Sequence, residues 1–309
     1  MANPRRFTVG DLKELAGMPD LESPKQWRDS LTYLVLDPDE QSVIESSVRE
    51  EIMTRAWRVS GDNDSAVWER GWGEVALRVE TLDKIDPFAL SPNYFRGEKI
   101  FRLNGRYVRA VSDDAEFLIG LMIREAILAH WLAPYSEVIE FGCGTGLNLF
   151  LLANRFPEKR YLGCDWAKPV GSILDRIARA TATRVEFCQY NMLTGSGLNG
   201  KEFKPGTAIC TVHAMEQLHT MWEPFIKDVM RCRPAVCVHL EPFVELYSTE
   251  NRFDELASMF HQKRKYLVGF IPALREMHER GEVELLECRR VSFGGKFHEA
   301  YSIAVWKPL

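Results

Sequence analysis

Residues 138–149 read V-I-E-F-G-C-G-T-G-L-N-L, a short apolar run carrying one acid, Glu140, and then Gly142, Gly144 and Gly146. Glycines so placed let the backbone turn tightly from a strand into a helix, and let a ligand approach the main chain at the helix N-terminus. A dinucleotide loop needs its third glycine five residues after the first, for helix–strand packing. Here the third glycine comes four residues after the first, and Leu147 holds the fifth place. Glu140 adds an electrostatic argument. A pyrophosphate gains nothing from a carboxylate beside it, whereas an ammonium does. The spacing does not fit a dinucleotide loop, and the acid favours a positively charged group.

Two more landmarks follow. Y-L-G-C-D-W-A ends a second apolar run at Asp165, 19 residues beyond Gly146, and V-E-F-C-Q-Y-N-M-L ends a third at Asn191. Together with these, E-F-G-C-G-T-G resembles the first motif of the class I S-adenosylmethionine-dependent methyltransferases, a resemblance that covers residues 113 to 309. It implies a Rossmann-like, doubly wound, mostly parallel seven-stranded sheet with an antiparallel C-terminal hairpin, and S-adenosylmethionine as cofactor. Glu140, Phe141, Gly142, Cys143, Gly144 and Gly146 would then hold the methionine end. Asp165 would take the two ribose hydroxyls, with Trp166 either covering the adenine or belonging to the core. Asn191, with Met192, would sit near the adenine amino group. The family usually has Asp or Glu there, but an amide oxygen can accept the same hydrogen bond.

In open α/β sheets ligands bind beyond the carboxyl ends of the strands. By that rule C-T-V-H-A-M-E-Q-L-H, 210–219, and C-V-H-L-E-P-F, 237–243, face the transferred methyl. His213 is the best-placed base for an acceptor hydroxyl, because an imidazole titrates near neutral pH; the alternative is a histidine that only packs on the cofactor. His239 and Glu241 are the next catalytic candidates, and Glu216 is expected to bind acceptor hydroxyls or amines. His213, Glu216 and His219 also spell HxxExxH, but steps of three on a helix leave the two histidines about 120° apart, so no metal is expected. The [DN]PP[YF] motif of base-amine methylation is absent, with His-Ala-Met-Glu in its place. Residues 94–109 carry Arg96, Lys99, Arg102, Arg106 and Arg109 against one acid, Glu98. Guanidiniums suit carboxylates or phosphates, so Arg102, Arg106 and Arg109 are candidates for holding an anionic acceptor, against the alternative of a solvated face. The expected reaction is O-methylation of a small sugar-like or anionic acceptor. The alternatives are a methyltransferase acting on nucleic acid or protein, and a non-catalytic S-adenosylmethionine-binding protein.

These residues need a frame to position them. From 137 onward strands alternate with helices: strands at 137–142, 160–165, 184–190, 206–213 and 235–241, and helices at 146–156, 168–180, 220–232 and 250–279. Such alternation means βαβ units and a parallel sheet. Two terminal strands around Gly294-Gly295 make the antiparallel edge hairpin. Residues 1–112 are richer in charge and proline, and are expected to form a mainly helical, substrate-covering extension. K-I-F-R-L-N-G-R-Y-V-R-A, 99–110, is a β-hairpin signal within it, with Asn104-Gly105 supplying a type I′ turn. Trp68, Trp72, Tyr94, Phe95 and Tyr107 there either line the acceptor pocket or pack as core. S-G-D-N-D-S, 60–65, is expected to be a turn.

Composition bounds the rest. The chain has 309 residues, 46% hydrophobic and 27% charged, with a formal net charge of -5. That balance counts against a general nucleic-acid binder, whose affinity comes from neutralising phosphates. Seven cysteines without a CxxC pair point to buried reduced thiols. The apolar stretch 117–133 is interrupted by Arg124 and Glu125, so it reads as a buried amphipathic helix and not a membrane span. A cytoplasmic protein is expected.

Overall fold

The computed structural model describes residues 4–21, 24, 31–60, 65–92, 99–112, 114–197, 206–248 and 250–309. The first part of the chain forms β1 (Arg5–Arg6), α1 (Val9–Ala16), β2 (Thr32–Val35), α2 (Pro38–Thr54), α3 (Ala66–Glu80), β3 (Ile100–Leu103), β4 (Arg106–Ala110) and α4 (Ala115–Leu132). Next come β5 (Glu137–Phe141), α5 (Leu147–Arg155), β6 (Arg160–Asp165), α6 (Val170–Thr181), β7 (Arg184–Gln189), β8 (Ala208–Val212), α7 (Glu223–Cys232) and β9 (Val236–Glu241). The chain closes with α8 (Arg252–Arg264), α9 (Phe270–Glu279), β10 (Val283–Arg290), β11 (Phe293–Gly294) and β12 (Ser302–Pro308).

A seven-stranded sheet runs in the order β10-β12-β9-β8-β5-β6-β7. All of its strands are parallel except β12, which is antiparallel to both neighbours. This is the doubly wound, mostly parallel sheet expected. β8 and β9 are buried at every residue, as central parallel strands covered on both faces must be. β5 lies between β6 and β8, so the strand order reverses there and a crevice opens between the loops that follow β5 and β8.

Two expectations need correction. The antiparallel pairing of β10 with β12 is present, but no tight turn joins them at Gly294-Gly295. Instead Phe293 and Gly294 leave the large sheet and pair with Leu103 and Arg102 of β3. The apolar Phe293 side chain is buried against Phe101, at 5.9 Å between ring centroids. The single helix expected over 250–279 is two. Lys265 closes α8 in a left-handed conformation (φ 51°), and Gly269 opens α9 at φ 86°. Between them Leu267 and Val268 donate their N–H groups to the Glu216 and His219 carbonyls, so the interruption braces the loop after β8.

The N-terminal region contributes more strand than its hairpin alone. β1, β2, β4, β3 and β11 form a second, antiparallel sheet, and the β3–β4 turn has Asn104 at φ 51° and Gly105 at φ 73°, the two positive values of a type I′ turn. α2 starts on a capping box between Asp37 and Glu40, with Pro38 in its first turn. α4 is buried on nearly all sides and touches β11 of the one sheet and β9 of the other; no described helix is long and apolar enough to cross a membrane. One continuous core includes Leu12 and Phe101 from the N-terminal region, Ile123 of α4, and Leu149 and Ile303 of the large-sheet region. Most of the turn expected at 60–65, together with Tyr94, Phe95, Arg96 and Glu98, lies outside the described residues.

Candidate active site

A cleft open to solvent lies at the carboxyl ends of β5, β6 and β8, walled on its far side by Trp68 and Trp72 of α3. Its floor is the glycine loop. Gly142, at φ 66°, lies so close to the loop after β8 that a Cβ there would stand 2.3 Å from the Ala214 Cβ. Any side chain at 142 would therefore pry the two loops apart. Gly144, at φ 51°, lies against the Trp72 ring of α3, and its N–H donates to Asp165 Oδ2 at 2.9 Å. The other Asp165 oxygen accepts from Ala167 N–H at 3.0 Å. Burial raises the Asp165 carboxyl to about 6, tempered by these backbone donors.

Glu140 is fully buried below the loop. Asn148 Nδ2 donates to its Oε1 at 2.6 Å, while Oε2 has no partner among the described residues. Burial pushes this carboxyl up to about 8, against the pull of Asn148 and the charge of Arg124. A buried carboxylate oxygen with an unused lone pair fits an ammonium, which would repay the cost of ionising it.

The other end of the cleft is made by the loop after β8. Glu241, at the end of β9, accepts N–H bonds from Ala214, Met215 and Glu216 at 3.0, 3.1 and 3.2 Å, capping a short 3₁₀ helix over Met215–Leu218. His213 precedes this helix at φ 55°, and His219 follows it at φ 51°. A left-handed backbone costs a non-glycine residue energy and persists where the surroundings enforce it, often at working sites. The His213 ring packs on Tyr301 at 4.7 Å, and the Tyr301 hydroxyl accepts from Arg124 Nε at 2.8 Å. Burial first, and Arg124 second, hold His213 well below its ordinary range, so its imidazole is neutral. Its Nε2 has no partner among the described residues. Burial and the neighbouring Glu241 raise Glu216 to about 8.

Residues 138–237 match the family model described as "Methyltransferase domain". This region is a methyltransferase domain. S-adenosylmethionine is its cofactor, consistent with the free Glu140 oxygen, the glycine loop and Asp165 meeting in one cleft. The chain matches no curated protein sequence. Among solved structures it is similar to LaPhzM, at 15% identity and a TM-score of 0.42 over 62% of this chain and 58% of that one. An rRNA methylase from Escherichia coli gives 12% identity and a TM-score of 0.44 over 96% and 100% of the two chains. Human N-acetylserotonin methyltransferase in complex with SAM gives 9% identity and a TM-score of 0.47 over 87% and 68%. The chain thus spans 58% of the length of LaPhzM.

The cleft is lined by Glu140, Gly142, Cys143, Gly144, Asp165, Trp166, Asn191, Met192, His213 and Glu216. Other sequence candidates lie elsewhere. Phe141 points to the opposite side of the sheet, against Tyr190 and Phe225 at 5.0 Å each. Gly146 abuts Leu174 and Ile177 of α6, so its lack of a side chain serves packing. His239 is fully buried, bonded through Nδ1 to Thr211 Oγ1 at 2.9 Å and stacked on Trp306, and burial lowers it to about 3. It is a core histidine. Glu241 spends both oxygens on backbone N–H groups, which makes it a cap and not a base.

The hairpin arginines also miss the cleft. Arg102 is fully buried; its Nη2 donates to the Tyr107 hydroxyl and the Phe253 carbonyl at 2.9 and 2.8 Å, and its guanidinium lies 3.8 Å from the Phe253 ring centroid. Arg109 pairs with Glu40 at 3.2 Å, and Arg106 is exposed at the turn. Tyr107 accepts the Arg102 bond inside the core, whereas Trp68 and Trp72 do line the cleft. Sequence reasoning missed Arg124, Gln217, Arg58 and Ser60 as wall residues. Only Arg124 left a signal, as a charge amid an otherwise apolar helix.

Proposed function

We propose that the protein methylates a hydroxyl of a small, sugar-like or anionic acceptor, with His213 taking the proton. Bound S-adenosylmethionine supplies a methyl group on a positive sulfur. The chain's own residues do the rest. Glu140 would hold the cofactor ammonium, Arg124 would meet its carboxylate, Asp165 would accept from the ribose hydroxyls, and Asn191 with Met192 would face the adenine. At the acceptor end His213 Nε2 would receive the proton of the hydroxyl that is methylated. Glu216 accepts a hydrogen bond from the acceptor.

The carrying observation is His213 itself: a neutral imidazole on the cleft wall, fixed by its backbone and Tyr301, with a free nitrogen. With the hairpin arginines elsewhere, Arg58 is the cation at the cleft that an acidic acceptor could meet. Residues 1–112 act as the cover: Arg58, Ser60, Trp68 and Trp72 complete the wall that residues 113–309 leave open.

The test is transfer of labelled methyl from S-adenosylmethionine to a panel of polyhydroxylated and phenolic small molecules, with RNA and protein extracts alongside. Labelling of a small hydroxyl compound, abolished in His213→Asn, is expected. Label confined to RNA or protein would overturn the acceptor class. Cofactor binding without transfer to any acceptor would point to a non-catalytic binding protein.

A further inference from the structure

Ser60 and Gln217 are 157 positions apart in sequence, yet the Ser60 hydroxyl donates to Gln217 Oε1 at 3.0 Å. Gln217 Nε2 in turn donates to Glu216 Oε1 at 2.9 Å. The orientation of this amide follows from chemistry, since only its NH₂ can donate to a carboxylate and its carbonyl must then face the hydroxyl. Ser60 is anchored as well. It is buried, and its N–H donates to the Arg264 carbonyl at the end of α8, 2.7 Å away. A continuous chain of hydrogen bonds therefore runs from the cover to the Glu216 carboxyl, which lines the cleft beside His213. Gln217 occupies Oε1 and leaves Oε2 to face an acceptor.

We propose that Gln217 is a positioning residue which, latched to Ser60 of the cover, aims the Glu216 carboxyl at a second hydroxyl of the acceptor and so selects polyhydroxylated acceptors over those with one hydroxyl. This rests on the hydroxyl-methylation reading above. One hydroxyl meets His213 Nε2 and loses its proton, and a second donates to Glu216, which lines the same cleft. An acceptor with a single hydroxyl forfeits that bond and leaves a buried acceptor group without a donor, a kind of mismatch that discriminates strongly.

The charged and titratable groups facing Glu216 are Glu241 from β9, Arg124 from α4, Arg264 from α8 and the Tyr301 phenol, with His213 and His219 on its own loop. Glu241 disfavours ionisation of Glu216, whereas Gln217, Arg264 and Arg124 favour it. Removing the Gln217 donor must therefore raise the pH at which Glu216 loses its proton.

An infrared pH titration of the full chain without acceptor reads this directly, the carbonyl band of protonated Glu216 being the one lost in Glu216→Gln. Gln217→Ala should move its midpoint upward by about one pH unit, the scale of one hydrogen bond to a charged group. Ser60→Ala should move it the same way by less. With a dihydroxy acceptor, Gln217→Ala should raise KM about tenfold, with KM for the mono-hydroxyl analogue and calorimetric cofactor affinity unchanged. An unmoved midpoint in a folded Gln217→Ala protein would overturn the positioning role. A moved midpoint with equal KM changes for both acceptors would overturn the diol selection. Methylation found only on RNA or protein would sink the hydroxyl reading and the selection together, with the midpoint still deciding the positioning.

Discussion

The two ends of the cleft are built differently. The end proposed for the cofactor takes Glu140, the glycine loop, Asp165 and Asn191 from the carboxyl ends of three neighbouring parallel strands, and is built largely of backbone and buried carboxylates. The end proposed for the acceptor assembles side chains from α4, the loop after β8 and the N-terminal region, tied by single hydrogen bonds such as Ser60 to Gln217 and Arg124 to Tyr301. A parallel sheet fixes the relative position of its strand ends through its ladder, so the first end is dictated by topology. The second depends on tertiary contacts that one residue can break.

The sharpest way to break that contrast is to remove the cover. Deleting residues 1–112 should leave the chain unfolded and not merely inactive. It strips the partners of Phe293 and the α4 face from the shared core and leaves β11 without a strand to pair with. A cooperative melting transition and retained cofactor affinity in the shortened protein would show that the cofactor end stands alone.

His213→Asn separates the two ends chemically. It should lower kcat by about 10²–10⁴-fold, the usual contribution of a positioned base, and leave calorimetric cofactor affinity unchanged. Because His213 is held neutral, the parent pH–rate profile should show no ascending limb near the ordinary histidine value of about 6.5. Its limb belongs near 8, where Glu216 ionises. A limb near 6.5 that disappears in His213→Asn would refute the neutral-imidazole picture.

Asp165→Ala should act on the other end only, weakening cofactor binding by about 1.5–3 kcal/mol as the ribose hydroxyls lose a charged acceptor. Equal weakening of acceptor binding, measured as KM, would mean the two ends are not separate.

A smaller effect follows from Glu140. Its folded-state value, about 8, lies above its ordinary value of 4.5, so the protein without cofactor is favoured by the protonated form, and that stability is lost as pH rises through 8. The cofactor ammonium favours the ionised form. Cofactor affinity should therefore rise between pH 6 and 8, with protons released on binding, as calorimetry in buffers of different ionisation heat would show. Glu140→Gln should abolish the rise and melt higher than the parent above pH 8 in the absence of cofactor. The smallest change is expected of Arg102→Met: acceptor KM within about twofold, because the guanidinium never meets the cleft, with a lowered melting temperature from lost core contacts.

What the sequence determined by itself was whatever depends on local spacing. Glycine placement, the acid before the loop, Asp165 at the end of its strand, the βαβ alternation and the Asn104-Gly105 turn each follow from a short stretch, because tight turns and strand periods restrict residue type within a few positions. The tertiary structure decided the rest. Arg102, basic and in a hairpin, looked like surface or site but is core, since Phe253 and Tyr107 arrive from distant segments to cover it. His239 and Glu241 share one strand end, yet their burial turns one into packing and the other into a cap. Phe293–Gly294 reads as part of a turn and is a strand of the second sheet, because β3 offers an open edge there. Gln217 and Ser60 carry no local signal at all. Their meaning is a contact between two segments 157 positions apart, and only the packing of the cover onto the sheet brings them within hydrogen-bonding reach.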